Sequence, residues 1–177
     1  MQFKKKEKPL IKILNKSLIN KRYLSWLNDK DNQKKIDLKK KISIRELKKY
    51  FRENKKRGNK LHAIFYKKKH IGNINIRFLT KNKCYVGFLI GDKKNKSKGI
   101  GTYSVNSAIE KCFKIYKVDE VYSNSQLSNK ASLGVLRKNN FKPLKSRPKY
   151  FTKYIKNIPV KYFILKRRNF KKIEFTQ

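Results

Sequence analysis

The segment Lys96-Ser97-Lys98-Gly99-Ile100-Gly101-Thr102 gathers the residue types that hold an oxyanion. Glycines at alternate positions let the backbone turn tightly and present successive N–H groups, and a helix starting there adds its partial positive charge. Lys93, Lys94, Lys96 and Lys98 bring ammonium groups to the same loop. A phosphate or pyrophosphate is the matching ligand. The loop lacks the terminal Lys-Ser/Thr pair of a triphosphate-binding loop and the third glycine of a dinucleotide fingerprint. By itself it also reads as an ordinary strand-to-helix turn in a lysine-rich chain.

Other side chains admit a chemical and a structural reading. Trp26 could stack on a sugar or nucleobase, although a lone Trp on a short helix is more often core. Asp29 and Asp31 could hold an amine or hydroxyl, or simply follow a helix end. His62, on a strand, could approach an acceptor as a base, whereas His70 falls in a turn and is expected to be solvated. Asn129 and Ser132 have the spacing of a helix cap. Cys84 and Cys112 lie in apolar surroundings without metal-ligand spacing, so reduced core thiols and no metal site are expected.

The elements that must position these residues follow from periodicity. Leu10 to Leu14 alternates as a strand, and Leu18 to Leu27 reads as a short helix stopped by Asn28-Asp29. Ser43-Ile44-Arg45-Glu46 is a capping box, and its helix carries Ile44, Leu47 and Phe51 on one face before ending at Gly58. Leu61 to Tyr66, Ile71 to Phe78 and Cys84 to Ile90 read as an antiparallel meander. In the second of these strands Ile74, Ile76 and Phe78 alternate with Asn73, Asn75 and Arg77, giving one buried and one wet face. Gly87 in the third marks a bulge or a close approach of another molecule to the backbone. Past the glycine loop, Val105, Ala108, Ile109, Cys112, Phe113 and Tyr116 share a helix face. Val118 to Ser123 is a strand, Ala131 to Lys138 a helix, and Tyr150 to Ile155 with Val160 to Leu165 a closing hairpin-like pair. The expectation is one α/β domain over residues 1–177, with a mixed, mostly antiparallel sheet of about seven strands and about four helices.

Composition narrows the class further. The chain has 177 residues, enough for one core, and no apolar run reaches the length of a membrane span. The basic N-terminus has its apolar runs broken by Lys12 and Lys16, so no signal-peptide core is read and a cytoplasmic location is expected. The formal net charge is +39, which ordinarily points to nucleic acid. Arg, however, supplies nine of the fifty basic residues, and the lysines are dispersed from Lys4 to Lys172. Since Arg makes the bidentate base contacts, the charge reads mainly as a Lys-, Asn- and Ile-rich composition, with nucleic-acid binding as the standing alternative.

These residues in this order resemble the GNAT family of N-acetyltransferases. Lys96, Gly99 and Gly101 match its Arg/Gln-x-x-Gly-x-Gly/Ala pyrophosphate signature, with Lys in the first place. Val86-Gly87-Phe88-Leu89-Ile90-Gly91 looks like its bulged strand. Asn129-Lys-Ala-Ser132-Leu, then Leu136 and Phe141, resembles the Asn-x-x-Ser…Leu…Gly-Phe segment of its ribosomal-protein and amino-sugar branch. Tyr23-Leu24-Ser25-Trp26-Leu27-Asn28-Asp29 is similar to that branch's acceptor-side helix.

The resemblance implies acetyl-CoA as donor substrate. Phe88, Leu89, Ile90 and Asn129 would meet its pantetheine arm, and Lys96, Lys98, Gly99, Ile100, Gly101 and Thr102 its pyrophosphate. Ser132 would partner the sulfur. Acceptor-side helices would span about 18–57, the acetyl-CoA core about 61–141 and the terminal strand pair about 149–166. Trp26, Asn28, Asp29 and His62 become candidate acceptor contacts. Two positions depart from the pattern: Leu136 stands where many members carry a tyrosine acid, and Tyr85 where branch members carry a glutamate. With no evident carboxylate base, and a positive field that repels cations, the implied acceptor is a small, anionic amine of low pKa. A nucleotide-linked amino sugar fits first and a protein N-terminus second. Monomer and homodimer are both compatible.

Overall fold

Side-chain alternation along β3 (Lys69–Thr80) creates the two faces around which the molecule is built. Ile74 and Ile76 are buried on one face, in a cluster with Ile64, Val86, Val105 and Ile109. Asn73, Asn75 and Arg77 alternate with them and so lie on the other face. The computed structural model describes residues 7–36, 38–151 and 159–175. Before β3 come β1 (Leu10–Ile13), α1 (Lys21–Asn28), α2 (Lys30–Ile36), α3 (Ile44–Lys56) and β2 (Lys60–Tyr66). After it come β4 (Lys83–Ile90), α4 (Ile100–Lys114), β5 (Glu120–Gln126), α5 (Lys130–Lys138), β6 (Lys142–Pro143) and β7 (Val160–Lys166).

The strands form one seven-stranded sheet in the order β1-β2-β3-β4-β5-β7-β6. Pairing is antiparallel except between β4 and β5, where the α4 crossover makes it parallel. The helix α4 buries Val105, Ala108, Ile109, Cys112 and Phe113 against the first face, as their spacing predicts. A second cluster of Leu14, Ile19, Tyr23, Trp26, Leu47, Leu61 and Ala63 packs α1 and α3 on the opposite face. The Ser43–Glu46 capping box forms: Glu46 N–H donates to Ser43 Oγ at 3.2 Å, and Ser43 N–H to Glu46 Oε2 at 2.7 Å.

The structure differs from the sequence reading in four places. First, the helices described are five, because Asn28-Asp29 stops α1 but Asp29 then caps α2, accepting from Asn32 N–H at 3.1 Å. Extended backbone at Asp29 (ψ 128°) separates the two helices. Second, β4 has no bulge at Gly87. Its register with β3 runs unbroken from Gly72↔Ile90 to Phe78↔Cys84. What approaches the glycine is the chain's own Tyr85 ring, which folds back over it: a Cβ there would lie 3.0 Å from that ring. Third, β7 does not close a hairpin with Tyr150-Phe151, which lie in a turn; it pairs with β5 and with the short β6. The remainder of that expected strand, 152–158, lies outside the described residues. Fourth, His70 is 5% exposed and not solvated, because β3 begins before it and turns its ring against Trp26 and Phe65.

Candidate active site

The pairing of β4 with β5 stops early. Only Lys83, Cys84 and Tyr85 are in register, with Glu120, Val121 and Tyr122; beyond them each strand continues without the other. Ser123 Oγ reaches across at the fork and donates to Val86 O at 2.8 Å. Peptide groups alternate sides along a strand, and Gly91 N–H donates towards β3, to Ile71 O. Phe88 and Ile90 therefore present their N–H groups to the opening, on the same side as the Val86 carbonyl. The fork is a slot with free backbone donors along one edge.

The glycine loop stands at the end of that slot. Ser97 (φ 62°) and Gly99 (φ 71°) both take the left-handed conformation, which turns the chain sharply into α4. Gly99 is the N-cap and offers no side chain, so the first N–H groups of α4 are left for an external acceptor. A Cβ on Gly101 would stand 3.6 Å from Ile90 Cγ1 and Val135 Cγ2, which places this turn of α4 between β4 and α5. Lys96 is only partly a free cation: its ammonium donates to Asn32 Oδ1 at 2.8 Å, and burial, with Lys35 nearby, pushes its pKa down.

Slot and loop open into a cavity of about 830 Å³. Tyr85, Phe88, Leu89, Ile90, Lys96, Gly99, Gly101, Thr102, Asn129 and Ser132 all line it. Ile100 does not; its side chain is fully buried in the core. Lys98 lines an adjoining outer cleft with Tyr66, Lys67, Ser97 and Lys138. Asn129 does act as a helix cap, accepting from Ser132 N–H at 3.2 Å, and it lines the cavity as well. Leu136, at the expected tyrosine position, is fully buried in the core.

The acceptor candidates from the N-terminal half are not brought together there. Trp26 packs beneath the strand end, its ring against Gly91 and 5.0 Å from His70. Asn28 clamps the chain before α3 with paired hydrogen bonds to Ile42 N–H and O, at 2.9 and 2.8 Å. Asp29 pairs with Lys93 at 2.7 Å, and that contact holds its carboxyl below the usual range. His62 faces α4: burial, with Lys111 close by, pushes its pKa down to about 4.

The remaining wall of the cavity is built from residues that the sequence marked only as a wet strand face. Asn73, Asn75 and Arg77 of β3 line the cavity, with Tyr50 of α3 and Asn32 and Lys35 of α2. His70 Nε2 lies 3.0 Å from both Gly72 O and Asn73 Oδ1. The backbone carbonyl requires a protonated Nε2, so Asn73 turns its oxygen to His70 and leaves its Nδ2 without a partner. Asn75 Nδ2 donates to Tyr50 Oη at 2.8 Å. Tyr85 Oη donates to Asn124 Oδ1 at 3.0 Å, and burial pushes the phenol up to about 12. The alternation of Asn73, Asn75 and Arg77 was the available signal; what hid their role was that α1, α2 and α3 cover that face.

A parallel strand pair that forks beside an uncapped helix N-terminus gives this α/β protein a slot that ends at an anion-favouring turn. The family model of the acetyltransferase (GNAT) domain matches residues 17–142. The chain belongs to that family and is an N-acetyltransferase by class. Among solved structures, the spermidine N-acetyltransferase from Vibrio cholerae, in complex with CoA and spermine, superimposes with a TM-score of 0.78 at 13% identity, covering 92% of this chain and 97% of that one. The aminoglycoside acetyltransferase AAC(6')-Ib with ribostamycin and coenzyme A gives 0.79 at 13% identity, covering 92% and 95%. The Campylobacter jejuni N-acetyltransferase PseH gives 0.59 at 22% identity, covering 90% and 98%. No curated protein sequence matches the chain.

Proposed function

We propose that this protein transfers an acetyl group from acetyl-CoA to the primary amine of a small, anionic acceptor, with a nucleotide-linked amino sugar as the leading candidate. The observation that carries the reading is one continuous cavity, which joins the uncapped N-terminus of α4 to a chamber that holds Asn73, Asn75 and Arg77 and is lined by no carboxylate among the described residues. In the reaction the amine nitrogen bonds to the thioester carbon, the C–S bond breaks, and the proton lost by nitrogen ends on sulfur.

The chain's own groups suit these steps. The loop from Lys96 to Thr102 takes the donor's pyrophosphate, and the Phe88 and Ile90 amides take its pantetheine arm. They are also positioned to hold the carbonyl oxygen as it becomes an oxyanion. The Ser132 hydroxyl is assigned to the departing sulfur. Tyr85 is protonated at neutral pH and donates to Asn124, so its oxygen accepts from an N–H of the incoming amine and aligns it.

With no carboxylate base lining the chamber among the described residues, an acceptor that arrives neutral suits the site best. At pH 7 a lysine side chain of pKa ~10.4 is under about 0.1% neutral, whereas an amine of pKa ~8 is about 10% neutral. Lys35, Arg77, Lys96 and Lys130 around the cavity lower an amine's pKa further and disfavour the polycationic acceptors of the neighbours above.

Calorimetric titration of acetyl-CoA at moderate and high salt, with ATP as a polyanion control, tests the donor site. Saturable binding that survives salt is expected. Gly101→Val should weaken it by roughly 10- to 100-fold, because a branched side chain crowds the helix N–H groups and charge-assisted hydrogen bonds are lost. Equal, salt-sensitive binding of acetyl-CoA and ATP would remove the reading and favour nucleic acid as the partner. For the chemistry, Tyr85→Phe should lower kcat by on the order of 10-fold with KM for acetyl-CoA unchanged. The rate should still rise with pH through the acceptor's own pKa. An unchanged kcat would dismiss Tyr85 from the mechanism.

A further inference from the structure

Arg77 is a cation without a counter-ion among the described residues, in a chamber that none of their carboxylates lines. Its guanidinium carbon lies 4.9 Å from the centroid of the Tyr85 ring, and none of the ion pairs among the described residues includes it. Its Nε is buried without a hydrogen-bond partner. Nearby on the same face of β3, Asn73 Nδ2 and Asn75 Oδ1 are also buried and unpartnered. Buried polar atoms without partners, on a half-buried guanidinium and its neighbours, cost stability unless a ligand completes them.

The position carries chemical information. Arg77 is opposite Tyr85, and Asn75 opposite Gly87, in the β3–β4 register. The Phe88 and Ile90 amides are therefore offset from Arg77 by three and five residues, roughly 10 to 17 Å along the strand at ~3.3 Å per residue. A guanidinium stacked on an aromatic ring keeps its planar fork fixed, which favours bidentate binding of a carboxylate or phosphate over a point contact.

Resting on the acetyl-transfer reading above, we infer that Arg77 is the specificity-determining residue that binds an anionic group of the acceptor, carboxylate or phosphate, while Asn73 and Asn75 hydrogen-bond the polar body between that anion and the amine. The row excludes short amines, whose anion would be too near the nitrogen, and it gives uncharged or cationic amines no partner for the guanidinium.

The test is steady-state acetylation by the full-length protein and its Arg77→Gln and Arg77→Lys variants, with acetyl-CoA binding measured in parallel. The acceptors are an uncharged amino sugar, its sugar phosphate, its nucleotide diphosphate and an amino sugar acid. The wild type should prefer an anionic member. Arg77→Gln should raise that acceptor's KM by roughly 10- to 100-fold with acetyl-CoA binding unchanged, and should lower kcat/KM far less for the uncharged sugar than for the anionic one. Arg77→Lys should recover part of the loss, which also separates recognition from misfolding. Preference for the acid identifies a carboxylate source, and preference for the sugar phosphate or the nucleotide a phosphate one; each supports the assignment. Equal use of charged and uncharged sugars, an Arg77→Gln loss shared by all acceptors, or no acetylation of any of them by protein that binds acetyl-CoA would overturn it. Failure to bind acetyl-CoA would instead overturn the reading on which it rests.

Discussion

Replacing Gly91 by alanine should destabilise the protein by about 3 kcal/mol, the upper end of what overpacking a core costs. The backbone of Gly91 lies flat against Trp26. A Cβ there would stand 2.2 to 2.5 Å from three atoms of the indole, far inside contact distance. The ring cannot simply turn away, because it is 8% exposed and edge-packed on His70, with Tyr23 beside it. Gly91 also donates to Ile71 O at 2.9 Å, so displacing it pulls the end of β4 from β3. The Phe88 and Ile90 amides are held by that pairing, and donor binding should weaken together with stability. Denaturant unfolding of Gly91→Ala, Trp26→Leu and the double variant would measure this. The contact predicts strong non-additivity, with the double variant less destabilised than the sum by more than about 1 kcal/mol. Additive losses would show that the two residues do not constrain each other.

Acid should unfold the protein earlier than its carboxylates alone would dictate. His62 is 1% exposed, and burial, reinforced by the Lys111 charge, lowers its pKa from 6.5 to about 4. The shift is downward in the fold, so the unfolded chain binds this proton first as pH falls. Stability from the neutral imidazole is whole above pH ~6.5 and is lost progressively between there and pH ~4, amounting to about 3 kcal/mol across the window. Burial lowers the pKa of His70 as well, which adds in the same direction. Unfolding free energies at pH 7.5 and pH 4.5 should differ by less in His62→Gln than in the wild type. The same dependence in both would mean that the histidine is already accommodated when charged.

The two predictions concern residues that, on sequence, were candidates for contacting the acceptor. Each turns out to support the site from outside it. Trp26 fixes the strand end that carries the slot, and His62 lies under the face covered by α4. The reason lies in strand parity. Positions one apart on β2 point to opposite sides of the sheet, so Leu61 and Ala63 join the acceptor-side cluster while Ile64 joins the core under α4, and His62 goes with it. Periodicity revealed that two faces exist; which of them would be covered by α1 to α3 was not encoded within the strand.

What the sequence determined by itself is local. The Ser43–Glu46 capping box, the apolar face of α4, the meander of β2 to β4 and the glycine turn before α4 follow from spacing over a few residues, where backbone sterics and burial leave little choice. The part of the cavity proposed to take the donor was legible because it is lined mostly by residues close in sequence, Phe88 to Ile90, Gly99 to Thr102 without Ile100, and Asn129 with Ser132. The tertiary structure decided the rest. The fork between β4 and β5, and α2 docked through Asn32 to Lys96 and through Gln126 to Lys34 O, join residues distant in the chain. So does the chamber wall formed by Tyr50, Asn73, Asn75 and Arg77. Hydrophobic burial fixes which face of a strand is covered, but a polar side chain gains its role only when elements far away in sequence close around it and exclude water.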